Sequence, residues 1–94
     1  MSTIDESTAE KVANRLLFLR EYLKISQKQF AIDIGTTAQH VSNWEKARNR
    51  LSLQGALSIC DAYGVTLDFL FLNRADTLPA HMRSEWLVFK RNVE

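Results

Sequence analysis

The sequence predicts an all-α fold, and three observations carry that expectation. Apolar residues recur at three- and four-residue spacing, as in Val12, Leu16, Leu19 and Leu23. Hydroxyl residues able to cap a helix stand before such runs, and glycine follows two of them. No stretch alternates apolar and polar residues with period two, and no hairpin turn signal occurs.

Each element follows in order. "STAE" at Ser7–Glu10 has the form of a capping box, so a first helix is expected from about Thr8 to Lys24. "SQKQ" at Ser26–Gln29 opens a short second helix whose Phe30, Ala31 and Ile34 share a face. Gly35 ends it, because glycine takes a left-handed conformation without steric cost. Thr36 or Thr37 caps a third helix, about Thr37–Arg48, with Val41 and Trp44 as its apolar side. Ser52 caps a fourth containing Leu53, Ala56, Leu57, Ile59, Cys60 and Tyr63, and Gly64 closes it. Thr66 opens a short fifth helix, "LDFLFL", in which Asp68 suits the positive end of the helix dipole. "NRADTLP" reads as a linker, and Pro79 fits the first turn of a last helix, "AHMRSEWLVFKRN".

At 94 residues the chain is sized for one domain with a modest core. Three regions are expected: an acidic, flexible N-terminus over 1–7, a helical domain over 8–72, and a linker with an amphipathic helix over 73–94. Cys60 is the single cysteine, which excludes a disulfide framework and a cysteine-rich zinc site. The acidic start "MSTIDESTAEK" lacks the basic and apolar regions of a signal peptide, and no apolar run spans a bilayer, so the expected location is the cytoplasm with no membrane partner. No cofactor or metal site is expected, since His40 and His81 lie far apart without clustered ligands. No nucleophile with its base, acid pair or phosphate-cradling glycine loop stands out, so an enzyme is the least expected class. The net charge of +1 hides an asymmetry. Asp5, Glu6 and Glu10 face no base within residues 1–10, whereas Lys24, Lys28, Lys46, Arg48 and Arg50 outweigh Asp33 and Glu45 in residues 24–50.

The short second and third helices, joined through Gly35, have helix-turn-helix spacing. A steep crossing needs a small residue where the backbones approach, which is Ala31, and the sharp turn needs a positive φ, which Gly35 supplies. Val41 and Trp44 then tie the third helix to the core from behind and leave its front free. That front is uncharged but able to form hydrogen bonds, with Gln39 and Asn43 four residues apart on one face.

In "SQxxxAxxxG", "VSxWE" and "SLxxALxIxxAxGVTLDxL", at these distances, the stretch from about Leu16 to Leu70 resembles the lambda-repressor and Cro-like helix-turn-helix family. The resemblance implies a five-helix DNA-binding domain with an additional C-terminal helix, and double-stranded DNA as partner. It places the third helix in the major groove, with Ala38, Gln39 and Asn43 facing bases and Thr37, His40 and Ser42 at the margins. Amide side chains suit adenine, whose groove edge offers one acceptor and one donor, a contact worth roughly 1–3 kcal/mol of discrimination. The resemblance also implies that Gln27 clamps a phosphate, and that Arg20 and Glu45 form a structural pair. Lys28, Arg48 and Arg50 are candidates for screened attraction to phosphates.

The chain departs from the family pattern after "WE", where Ala47 stands in place of the usual glycine and Leu51 in place of a common proline. Alanine is costly in a left-handed cap, so the third helix is expected to run past Ala47 and stop at Asn49. The other feature in need of an explanation is an apolar surplus. Leu17, Phe18 and Tyr22 lie off the core stripe of the first helix, and "FLFL" is too apolar for one face. Met82, Trp86 and Phe89 are the natural complement to Phe69 and Phe71, either within the chain or across a homodimer. The expected function is a dimeric repressor reading an inverted repeat. The alternative is a protein-interaction module on the same fold, an antitoxin or an inhibitor of a regulator, with a protein partner at the C-terminal helix.

Overall fold

The computed structural model describes residues 3–94, and its elements are α1 (Thr3–Glu6), α2 (Ala9–Leu23), α3 (Gln27–Ile34), α4 (Ala38–Glu45), α5 (Leu53–Tyr63), α6 (Leu67–Leu72) and α7 (Ala80–Val93), with a 3-10 turn at Ala75–Thr77. No strand occurs among the described residues, so the fold is all-α. The third helix of the sequence reading is α4.

Local chemistry sets most of the boundaries. The side chains of Ser26, Thr37, Ser52 and Thr66 each accept a backbone N–H three residues on, at 3.0–3.2 Å. These bonds satisfy donors that the first turn of a helix leaves orphaned. At α2 the cap is Thr8, which accepts from the Lys11 amide at 3.3 Å, one residue later than the box expected to start at Ser7. The Ser7 carbonyl instead accepts from Arg50 Nη1 at 2.8 Å, and Glu10 lies exposed.

The core is built around α2, with two sides. Val12, Leu16 and Leu19 belong to the same buried cluster as Phe30, Ala31, Val41 and Ile59. Phe18, off that stripe, is only 3% exposed because α7 folds back over it. Trp86 is wholly buried, its ring 5.3 Å from that of Phe18 and edge-on to Phe69 at 5.5 Å. Its indole N–H donates to Asn73 Oδ1 at 3.0 Å. Asn73 also takes the left-handed turn that ends α6, at φ 59°, so one residue both stops α6 and seats α7. Met82 is buried, and Phe71 and Phe89 are half-buried against the same cluster. The apolar surplus around Phe18 and Phe69 is thereby covered by the chain itself.

Among the described residues, Arg15 is the charged residue that is wholly buried in this core. Its Nη1 donates to the carbonyls of Glu6 at 2.7 Å and Leu70 at 2.9 Å, and Nη2 to Glu6 Oε1 at 2.7 Å. Nε alone has no partner. Burial pulls the Arg15 pKa below its usual value, and the Glu6 carboxylate opposes that shift. A guanidinium out of water must be compensated, and Glu6 does this by bringing the N-terminal segment down onto α2. Glu6 and Ser7, within the acidic segment expected over 1–7, both accept hydrogen bonds from arginines of the helical domain. Residues 1–2 of that segment lie outside the described residues.

The other correction concerns the end of α4. The helix stops at Glu45, with Lys46 as its cap residue and Ala47 at φ 58°, rather than running on to Asn49. The Ala47 amide donates to the Trp44 carbonyl at 3.1 Å and the Arg48 amide to the Asn43 carbonyl at 2.9 Å. This pair of bonds is the Schellman arrangement that a glycine ordinarily closes. The reason for the early stop lies downstream. Leu51 is only 7% exposed, and a longer α4 would carry it away from the core. Its burial outweighs the roughly 1–2 kcal/mol of left-handed strain at an alanine.

Two outcomes follow for equilibrium unfolding in denaturant. Glu6→Ala leaves Arg15 with carbonyl partners only and should lower stability by roughly 3 kcal/mol. Ala47→Gly removes the left-handed strain against a more flexible unfolded chain and should raise stability by about 0.5–1 kcal/mol. A drop in stability for Ala47→Gly would mean that the left-handed turn is unstrained.

Candidate nucleic-acid interface

The interface begins at the turn between α3 and α4. Gly35 sits at φ 74°, and the Thr36 amide returns to the Ala31 carbonyl at 2.9 Å. Ala31 is buried where α3 meets the rest of the core, so a larger side chain has no room there. Thr37 then caps α4, three residues after α3 ends.

One side of α4 is sunk in the core, with Val41 1% and Trp44 8% exposed. The six-membered ring of Trp44 lies against the backbone of α5 at Gly55. A Cβ there would come within 2.8 Å of Trp44 Cη2 and 3.1 Å of Cζ2. Glycine inside a helix ordinarily costs about 1 kcal/mol relative to alanine. Here the missing side chain is what lets the indole approach.

The end of α4 is fixed by a charged network. Arg20 grips Glu45 with two bonds, Nε to Oε2 at 2.7 Å and Nη2 to Oε1 at 3.1 Å. Its Nη1 also donates to the Ile25 carbonyl at 3.1 Å, which joins α2, the α2–α3 turn and α4. The hydrogen bond to Glu45 raises the Arg20 pKa, with burial acting against it. Glu45 is 5% exposed in its side chain and accepts a third bond, from Gln27 Nε2 at 3.1 Å. Gln27 is thus oriented by Glu45 at the start of α3, keeping its second N–H and its carbonyl oxygen.

The opposite side of α4 is open. Thr37, Ala38, Gln39 and His40 are exposed, and Ser42 and Asn43 are half-exposed. Gln39 Nε2 donates to Asn43 Oδ1 at 3.0 Å. His40 turns aside: its Nδ1 meets Thr36 Oγ1 at 2.8 Å, and its ring stacks on Trp44 at 6.2 Å. Lys28 and Arg48 are exposed, and Arg50 is exposed while bonded to the Ser7 carbonyl. Because Glu45 is neutralised by Arg20, the cations along this side are not offset by it.

A cleft of about 610 Å³ runs between α4 and the start of α5, with Asn43, Asn49, Arg50, Ser52 and Gln54 on its walls. Asn49 and Gln54 extend the polar face beyond the residues singled out in the sequence. They carry no pattern of their own there, and only the early stop of α4 brings them alongside it. Among the described residues no group of histidines, cysteines and carboxylates is placed to hold a metal ion, and no helix is long and apolar enough to cross a membrane.

Comparison with known proteins agrees with this geometry. A helix-turn-helix family model matches residues 18–70, more than half of the 94-residue chain. Neither the curated proteins nor the solved structures give a significant match.

Gly55→Ala should destabilise the fold by about 1–3 kcal/mol, the reverse of the usual gain for alanine in a helix. Trp44→Phe removes the ring atoms that the new Cβ would strike. The double variant should therefore lose less than the sum of the two single losses in thermal unfolding.

Proposed function

The chain belongs to the Cro/C1-type helix-turn-helix family of DNA-binding transcriptional regulators, and on that premise we propose that it is a sequence-specific repressor that acts as a dimer. The observation that carries this reading is the two-sidedness of α4. One face is locked into the core by Val41 and Trp44, and the other offers uncharged hydrogen-bonding groups to solvent. Rigid backing and an uncharged polar front suit a helix that lies in the major groove and reads base edges.

In this reading Gln39 and Asn43 make the base contacts, Ala38 packs against a thymine methyl, and Thr37, His40 and Ser42 line the margins. Gln27 donates its second N–H to a phosphate, held in position by Glu45. Lys28, Arg48 and Arg50 supply sequence-independent attraction, each worth about one unit of salt slope.

Dimerisation is supported by affinity arithmetic, since a single eight-residue helix touches few base pairs. Two copies on half-sites about one helical turn apart gain both affinity and specificity. The residues under α7 do not serve this contact, because exposing Trp86 would uncover Phe18 and Phe69. Apolar surface remains at Leu53 and Leu57 on α5 and at Leu87 and Val88 on α7.

Selection of bound DNA from a random pool, with the mass of the complex measured alongside, tests the proposal. The expected product is a short inverted repeat holding two chains. A single half-site at one-to-one overturns the dimer, and recovery of no preferred sequence at low salt overturns base reading. Lys28→Ala should weaken all sequences alike and flatten the salt dependence.

A further inference from the structure

The bond between Gln39 and Asn43 has consequences for which bases this face selects. An exposed glutamine ordinarily samples many rotamers and presents its carbonyl and amide in either order. Here Gln39 Nε2 is committed to Asn43 Oδ1 at 3.0 Å, and the bond ties together residues one turn apart. The neighbouring polar side chains are engaged elsewhere. His40 is held by Thr36 and stacked on Trp44, and Gln27 is turned to Glu45. Asn43 is also anchored at its backbone, whose carbonyl accepts the Arg48 amide at 2.9 Å. The two amides therefore stand as one unit on an otherwise unoccupied face.

The donors and acceptors left over are unequal. Asn43 Oδ1 accepts from Gln39 with one of its two lone pairs, and Asn43 shows the groove its Nδ2 group, which only donates. Gln39 keeps its carbonyl oxygen and one N–H, an acceptor beside a donor. An acceptor beside a donor matches the N6 amino group and N7 of adenine. A group that only donates matches a keto oxygen, guanine O6 or thymine O4, and opposes the amino group of cytosine.

We infer that Gln39 and Asn43 read as a coupled pair, with Gln39 selecting adenine only while Asn43 holds its amide, and Asn43 selecting a keto base at a neighbouring position. This inference rests on the base-reading role proposed for α4. It goes beyond that role by assigning different chemistry to two like side chains and by making one depend on the other. The tether also lowers the rotamer entropy lost by Gln39 on binding.

The experiment is selection from a random pool by the parent, Asn43→Asp and Asn43→Ala, followed by affinities on single-base variants of the parent's best site. All three residues sit at a half-exposed surface position, and circular dichroism and thermal unfolding check that each variant is folded. Asn43→Asp keeps an oxygen for Gln39 but replaces the outward donor by an acceptor. It should retain the adenine and move the keto position to cytosine, by about tenfold. Asn43→Ala releases Gln39 and should relax both positions.

If Asn43→Ala relaxes one position and leaves the adenine preference intact, the two residues read independently and the coupling is overturned. If Asn43→Asp leaves the keto position unchanged, the donor assignment of Asn43 is overturned. Should the parent select a sequence that neither variant alters, base reading by this face is itself wrong. That result is distinct from failure of the coupling alone.

Discussion

An eight-residue helix closes too few backbone hydrogen bonds to persist in water by itself, so α4 depends on what holds it from behind. Val41 and Trp44 provide that hold, and the Trp44 contact is possible because α5 offers bare backbone at Gly55. Much of the remaining architecture follows from this need. The helix keeps an uncharged front because its large apolar side chains, Val41 and Trp44, lie at its back. Its position relative to α5 is set by the indole, whose Cη2 and Cζ2 approach Gly55 more closely than a side chain there would allow. The cleft between α4 and α5 is the space left beside that contact.

Two arginines on α2 show how differently a charge can be used in one small fold. Arg20 lies at the edge, where a carboxylate and a carbonyl satisfy it in good geometry, and its partner Glu45 is the more buried of the two. The pair fixes where α4 ends and also orients Gln27, so a structural bond reaches the DNA-facing surface in one further step. Arg15 lies at the centre, where the Glu6 carboxylate pairs with it and main-chain carbonyls of Glu6 and Leu70 accept its remaining bonds. Its cost is met only when α1 and the end of α6 are both in place. A buried charge of this kind adds little net stability and instead makes alternative arrangements of those segments unfavourable.

The parts of this molecule that rest on local chemistry were legible in the residues. The serine and threonine caps before α3, α5 and α6, the glycine turns and the Val41–Trp44 spacing each act within a few residues, so pattern suffices to place them. Parts that rest on distant contacts were not. Nothing around Arg15 marks it as buried, because Glu6 and Leu70 reach it from nine and fifty-five residues away. Thr8 rather than Ser7 caps α2, and it is the distant Arg50 that occupies the Ser7 carbonyl. Ala47 is the instructive case. Its local preference argues for a longer helix, and it yields because Leu51, four residues on, has a place in the core. Leu53 and Leu57 fall short in the opposite way. Both are large apolar residues, yet they are 61% and 50% exposed, because Ala56 and Ile59 already fill the inward face of α5.

The C-terminal helix changes the way surface and core should be divided in this chain. Without α7, Phe18 and Phe69 would form part of an exposed apolar face of the kind that ordinarily marks an oligomer interface. With α7 in place, that face is interior, and the indole N–H finds its one acceptor in Asn73. Asn73 can serve because its left-handed backbone turns the chain sharply after α6, directing both the linker and its own side chain toward Trp86. Replacing Asn73 by glycine would preserve the turn and abandon the acceptor, leaving a buried donor unsatisfied at a cost of about 1–3 kcal/mol. The same residue type thus meets a backbone demand and a side-chain demand that glycine alone could not. Self-coverage by α7 and pairing with a second copy through the same residues are therefore mutually exclusive uses of one apolar surface.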